Sequence, residues 1–326
     1  MKRITYSVLV AVFAIGVFAQ RASMQSLTYN SGQDVSPAYE GWEENPDGTF
    51  NLVFGYMNRN WKEEIDVPIG PGNNIEPGGP DQGQPTHLLP RRNRFIFRIR
   101  VPKDFGQKEI VWTLVTHGKT NKAYASLKTD LRIENIDIMS ETGALGAGAS
   151  NPEIRADKAP DVKVEGSDKL TAKVGQPVTL SAIVTDDGVP KGRPNSAGGG
   201  GPNAAGRGGP GAGAAPAGGA RGRGAAIPTP PSRVTVGKTL GLHAGWFVYR
   251  AAGPVTIEPD QIEIWEDTRE GANSPWAPRW TPPPPPPEGR WTAKATFEQP
   301  GTYVLWCRAD DGALTSDAAV TVTVTK

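Results

Sequence analysis

Two Asp-Asp-Gly triplets, Asp186-Asp187-Gly188 and Asp310-Asp311-Gly312, carry the most conspicuous chemistry in this sequence. Four carboxylates held in one small volume repel one another unless a cation neutralises them, and hard oxygen ligands of this kind suit Ca²⁺. The triplet is equally ordinary turn chemistry, in which Asp caps its own loop and Gly takes a positive φ. A second feature is Pro275-Trp276-Ala277-Pro278-Arg279-Trp280, which leads into six consecutive prolines, Pro282 to Pro287. Trp276 and Trp280 held out on a stiff polyproline loop can stack on sugar rings or on another protein. Folded back, the same rings cover a sheet edge or a neighbouring domain.

Catalytic chemistry has less support. His87, His117 and His243 are far apart in sequence and none has metal-ligand spacing. No nucleophile elbow and no zincin motif is present. The Gly-x-Gly-x-x-Gly at Gly206 to Gly211 does not join a strand to a helix, so it is not a nucleotide-binding turn. No catalytic residue is named, and the chain reads as a non-enzyme. Arg207, Arg221 and Arg223 lie among glycines as in RNA-binding segments, but export and a net charge of +1 argue against a nucleic-acid partner.

Export is read from the start of the chain. Lys2 and Arg3 precede an apolar run from Ile4 to Phe18, and Val17-Phe18-Ala19 offers small residues at a signal-peptidase site. Residues 1–19 are therefore expected to be removed, leaving no other segment apolar enough to cross a bilayer. The lone Cys307 excludes an internal disulfide, so stability must come from packing and hydrogen bonds.

The elements that would position these residues are strands. Residues 20–35 are polar and read as an arm. Over 36–139, Phe50, Leu52, Phe54 and Tyr56 alternate with Asn51, Val53 and Gly55; Phe95, Phe97, Ile99 and Val101 with Ile96, Arg98 and Arg100; and Ile110, Trp112 and Leu114 with Val111, Thr113 and Val115. Period two with aromatic and β-branched enrichment is the strand signature, and no helical stripe is evident. Asn45-Pro46-Asp47-Gly48 and His117-Gly118 read as turns, and Val67 to Pro90 as a long loop. Residues 140–160 are small and polar and read as a linker. From 161 to 326, inward faces are formed by Val178-Leu180-Ala182-Val184, Trp291-Ala293-Ala295-Phe297, Tyr303-Leu305-Cys307-Ala309 and Val320-Val322-Val324. This run is interrupted by a Gly/Ala/Pro insertion, 192–226, with almost nothing to bury, and by the proline-rich loop 274–288. The fold class is all-β: two immunoglobulin-like antiparallel sandwiches with long Gly/Pro-rich loops.

The order Val174-Gly175-Gln176-Pro177-Val178-Thr179-Leu180, Thr185-Asp186-Asp187-Gly188, Ala295-Thr296-Phe297, Pro300-Gly301-Thr302-Tyr303, Asp310-Asp311-Gly312 and a closing Val-Thr-Val-Thr strand resembles bacterial PKD and related immunoglobulin-like domains. The resemblance covers roughly 161–326 without the insertions; the first domain is similar in pattern only. It implies that Trp246 is the core tryptophan of strand C and Tyr303 the corner tyrosine, and that Cys307 on strand F faces Ala182 on strand B without a bridge. It also implies that strands B and F run in the same direction, so both Asp-Asp-Gly turns lie at one end of the sandwich. Domains of this kind commonly serve as spacers, adhesion modules or binding appendages. The resulting expectation is a non-enzymatic binding or structural module of the cell envelope, periplasmic, outer-membrane-associated or extracellular. Its partner would be an envelope protein or an extracellular glycan. The other readings are a carbohydrate-binding accessory protein using Trp276 and Trp280, and a hydrolase of unfamiliar type. The metal candidates are Asp186, Asp187, Asp310 and Asp311, with calcium as the ion.

Overall fold

A computed structural model of the chain describes residues 29–142, 152–191, 241–262, 264 and 284–326. The leader, the insertion 192–226 and Trp276 and Trp280 lie outside the described residues.

The first domain holds eight strands: β1 (Val35–Glu44), β2 (Phe50–Asn58), β3 (Ile65–Asp66), β4 (Asn73–Glu76), β5 (His87–Leu88), β6 (Arg91–Val101), β7 (Ile110–Thr116) and β8 (Lys119–Ala125). One sheet runs β1-β2-β6 and the facing sheet β4-β7-β8, with β3 and β5 paired separately. Alternation places Leu52, Phe54 and Tyr56 against Trp112 and Leu114, all buried. Phe54 stacks on Phe97 and meets Trp112 edge-on, with ring centroids 5.1 and 6.1 Å apart. His117 and Gly118 both take positive φ, the geometry of a tight hairpin between β7 and β8.

Several features depart from the sequence reading. The polar arm ends inside the sandwich: Asp34 is buried, and the amide of Val35 donates to Thr116 Oγ1 at 2.8 Å. The Val67–Pro90 segment contributes β4, which pairs with β7 through Ile75 and Trp112. β6 is bulged where it passes Gly55, with Phe95 at φ 53°, so Ile96 joins the core and Phe95 turns elsewhere. Helix α1 (Asn135–Thr142) spans the end of the segment assigned to the first sandwich and the first residues of the proposed linker 140–160, and a short helix α2 (Pro152–Arg155) follows after residue 151. Ile138 and Met139 of α1 are buried because they pack on the second domain.

The second domain has β9 (Asp161–Val164), β10 (Lys169–Lys173), β11 (Val178–Thr185), β12 (His243–Arg250), β13 (Val255–Glu258), β14 (Arg290–Phe297), β15 (Gly301–Asp310) and β16 (Thr315–Thr325). The sheets are β13-β14-β11-β9 and β10-β16-β15-β12. This is the immunoglobulin arrangement, with strands A, B, E and D in one sheet and C, F and G in the other. β10 adds to the second sheet, parallel to β16. Trp246 is the core tryptophan on strand C, and it pairs in register with the free, buried Cys307. Tyr303 forms the expected corner: its hydroxyl donates to the Gln299 carbonyl at 2.8 Å.

β12 is buried on both faces. Trp246 and Val248 point into the second core, whereas Phe247 and Tyr249 belong to the core of the first domain. Trp306 of β15 stacks on Tyr249, centroids 3.8 Å apart. The Tyr249 hydroxyl donates to the Gly83 carbonyl at 2.6 Å, and the Thr86 amide donates to the Tyr249 carbonyl at 3.2 Å. Arg250 forks onto Asp81 at 3.0 and 2.7 Å and donates from Nε to the Gln84 carbonyl at 3.0 Å. The two sandwiches therefore dock through strand C of one and the 81–86 segment of the other.

Candidate functional site

The end of the second sandwich that carries both Asp-Asp-Gly turns also meets the connector between the domains. Each triplet makes the turn its sequence predicts. Asp186 Oδ2 accepts from the Gly188 amide and Asp187 Oδ1 from the Val189 amide, both at 2.9 Å. Asp310 Oδ1 accepts from Gly312 at 2.7 Å, and Asp311 Oδ1 accepts from Ala313 and Leu314 at 2.6 and 2.8 Å. The turn bonds use one oxygen of each carboxylate. Asp186 Oδ1 and Asp311 Oδ2 remain buried with no hydrogen-bond partner.

Burial differs between the two turns for a packing reason. The loop after β15 packs Ala313 and Leu314 into one apolar cluster with Ile138 and Met139 of α1, with Ile154 of α2 alongside, and Asp311 is 1% exposed. Asp187 stays exposed on the rim. Arg308, near the end of β15, is buried and bound bidentately to Asp317 at 2.7 Å on both arms, and its charge also acts on Asp310.

A fifth carboxylate completes the arrangement, and sequence reasoning missed it. Asp157 follows α2, where its amide donates to the Ile154 carbonyl at 3.1 Å and closes the turn. It is 5% exposed and neither carboxylate oxygen has a hydrogen-bond partner of sound geometry. Burial, then the charges of Asp187 and Asp186, push its pKa up to about 7. Burial pushes Asp311 up to about 8 against the pull of its Leu314 and Ala313 amides, helped by the charges of Asp157 and Asp310. Asp186 is raised by burial, with Asp187 adding to it. Asp157 thus feels the charges of Asp186 and Asp187 and in turn acts on Asp311, but among the described residues no three acidic, histidine or cysteine side chains are grouped so as to hold a metal ion. The position of Asp157 in a polar segment gave no periodic signal.

The histidines are engaged structurally. His87 is sandwiched between Asp66 and Glu64, with ring nitrogens at 2.8 and 3.0 Å from their carboxylates. Burial disfavours its cation, but hydrogen bonds to Asp66 and Glu64 outweigh that and raise its pKa to about 9. A ring with both nitrogens committed and a proton on each cannot serve as a general base near neutral pH. His117 contacts Glu63, and His243 rests against the Gly241 carbonyl. The recess beside the Asn45 turn holds Glu43, Arg98, Arg132 and Glu134, paired as Arg98–Glu43 at 2.9 Å and Arg132–Glu134 at 3.5 Å.

No family model matches the chain, and neither does any curated protein. Among solved structures it is similar to the S-layer protein rSbsC, at 10% identity and a TM-score of 0.22, covering 90% of this chain and 28% of that one. It is similar to the D00-D0 domain of intimin, at 10% identity and a TM-score of 0.22, covering 89% of this chain and 100% of that one. It is similar to the Yersinia pseudotuberculosis adhesin InvE, at 8% identity and a TM-score of 0.20, covering 90% of this chain and 59% of that one. The chain spans less than two thirds of the S-layer protein and of InvE. Likenesses this distant carry no argument about function; the assignment to an immunoglobulin-like, all-β fold rests on the strand order given above.

Proposed function

We propose that this chain is an exported, non-enzymatic binding or structural module of the cell envelope, built from two docked sandwiches of which the second is PKD-like. The observation that carries the reading is the shared strand β12, whose two faces complete two different cores. Relative domain motion is the default for a tandem of sandwiches unless the contact between them is extensive and apolar. Here Phe247, Tyr249 and Trp306 supply apolar contact, and Arg250 and Thr86 supply hydrogen bonds of fixed geometry. Such a unit holds its ends at a set separation, which suits a spacer or a presenting platform. The basic, apolar start of the sequence supports export to the periplasm, the outer membrane or the exterior. Among the described residues no helix is long and apolar enough to cross a membrane. The sheathed His87 favours a non-enzymatic role over the hydrolase alternative.

Expression of the full chain in a diderm host, followed by fractionation and in-cell cross-linking, tests this. The expected result is a processed protein outside the cytoplasm, cross-linked to an envelope component, with no turnover on esterase, protease and glycosidase panels. Retention in the cytoplasm, or saturable turnover on any panel, would overturn it.

A further inference from the structure

We propose that the end of the first sandwich built by Arg59, Trp61, Lys62, Arg91 and Lys119, with Tyr29 beside them, binds an acidic polysaccharide, a chain of carboxylated sugars. The partner class rests on the reading of an exported binding module; the recognition chemistry rests on this patch alone.

Four segments meet there: residues 29–34 lead into β1, residues 59–63 follow β2, Arg91 opens β6 and Lys119 opens β8. Backbone bonds fix them to one another. The Trp61 amide donates to the Tyr29 carbonyl at 2.9 Å, and the Lys62 and Glu63 amides donate to the Asn30 carbonyl at 3.1 and 3.0 Å. Arg91 donates from Nη1 to the Arg59 carbonyl at 3.0 Å, and its guanidinium carbon lies 4.1 Å from the centroid of the Trp61 ring. Arg91 does so from a φ of 58°. That left-handed conformation is costly for a residue with a side chain, and such strain clusters at binding and active sites.

Asp34 is a buried anchor for two exposed cations. Its Oδ1 accepts from Arg59 at 3.4 Å and from Lys119 at 3.2 Å, and its Oδ2 accepts from Asn121 at 2.8 Å. Burial opposes the Asp34 charge, but the bonds from Asn121 and Lys119 and the charge of Arg59 outweigh it and hold the pKa below the ordinary carboxylate value. The Arg59 and Lys119 side chains are 52% and 63% exposed while the carboxylate is buried, so solvent meets the cations and not the anion. Lys62 is exposed between Trp61 and Glu63. Glu63 accepts from the Gly32 amide at 2.6 Å and contacts His117 at 3.2 Å. Arg59, Lys62, Arg91 and Lys119 thus face only Asp34 and Glu63, a local positive surplus that the near-neutral whole chain conceals. Cations alone would serve any polyanion. Partly exposed Trp61 and half-exposed Tyr29 add aromatic surface beside them. A uronate ring carries an apolar C–H face, a rim of hydroxyls and one carboxylate. Its face can lie on an indole or phenol while the carboxylate meets a neighbouring guanidinium or ammonium. Carboxylates repeated along the chain match cations spread over several segments. Polyglutamate offers the same charge but leaves the aromatic surface without a partner.

The test is calorimetric titration of the full chain with alginate oligomers, which are chains of uronates, with neutral dextran and poly-L-glutamate as comparison ligands. Alginate should bind saturably, and about tenfold more weakly when NaCl is raised from about 50 to about 300 mM. Dextran should give no heat, and poly-L-glutamate should bind about tenfold more weakly than alginate, the loss expected when aromatic contact is missing. Trp61→Ala should weaken alginate binding about tenfold. Lys62→Gln, which leaves the Arg91 stack and the Asp34 bonds intact, should weaken it about threefold and melt at the parent's midpoint, so a folding defect in Trp61→Ala cannot mask the result. Lys103→Gln, beyond the far end of β6, should bind as the parent does. No alginate binding by the folded parent would overturn the proposal, and this failure is separable from failure of the module reading, which is scored by fractionation and turnover. Equal binding to poly-L-glutamate, or alginate binding unchanged in both Trp61→Ala and Lys62→Gln, would overturn it as well.

Discussion

Arg250→Ala, combined with Asp81→Ala in a double-mutant cycle, probes whether the sandwiches dock in solution. The two residues lie in different domains and meet only through the fork at 3.0 and 2.7 Å. Arg250 is 24% exposed and Asp81 48%, so solvent screens part of the attraction. Bidentate geometry raises such a pair above the usual surface value, and half-exposure lowers it, which places the coupling at about 1 kcal/mol. The Nε bond to the Gln84 carbonyl adds a net contribution of roughly 1 kcal/mol. Arg250→Ala should therefore cost about 2 kcal/mol, Asp81→Ala about 1, and the pair about 2 rather than 3. Urea unfolding of the four proteins measures these differences. The fork with Arg250 also holds the Asp81 carboxyl below its ordinary pKa against a partial burial that raises it. An NMR titration should therefore show Asp81 returning toward the usual carboxylate range in Arg250→Ala. Costs that add within about 0.3 kcal/mol, together with an unmoved Asp81, would refute the docking.

Other consequences can be measured in the same protein. Asp317→Ala strands the buried Arg308 without its carboxylate and should cost about 3 kcal/mol, at the lower end for breaking a buried pair because Asp317 is 21% exposed; a loss under about 1 kcal/mol would contradict the burial. His87 has its folded pKa raised to about 9 above an unfolded value near 6.5, so its stabilising contribution is complete below about pH 6.5 and is lost as pH rises through 9. Glu64 and Asp66 are about half exposed, which discounts that contribution to roughly 1–2 kcal/mol. The drop in unfolding free energy between pH 6 and pH 9.5 should shrink by that amount in His87→Gln. Burial pushes the Cys307 thiol up to about 12, so a disulfide reagent at pH 8 should label it only after denaturation.

Much of the fold was legible because alternation along a strand reports which side faces a core. Leu180, Ala182, Tyr303, Leu305 and Cys307 all landed on the face their spacing predicted. The turns at Asn45 and His117 were equally readable, since each rests on local chemistry, whereas the corner tyrosine followed from the family resemblance and not from the residues alone. What escaped was decided by partners distant in sequence. β4 holds a single apolar residue, Ile75, and exists because β7 offers it an edge. α1 is eight residues long, too short for a helical period to rise above the β pattern before it. The run Ala244-Gly245-Trp246-Phe247-Val248-Tyr249 did contain a signal that went unused. A strand apolar at successive positions is buried on both faces, and here the second face belongs to the other domain. The acidic turns were visible as motifs, but Asp157 was not, because a lone Asp in a polar connector has no signature until the fold buries it.

Amide hydrogen exchange at Thr86 tests the docked arrangement most directly. Its N–H donates across the domain boundary to the Tyr249 carbonyl, and it lies between the short strand β5 and the Asp81 contact. If β12 is shared between the cores, Thr86 should exchange as slowly as the Phe54 amide in the centre of β2. Exchange at the rate of an open loop, while Phe54 remains protected, would mean that the two sandwiches fold side by side without joining.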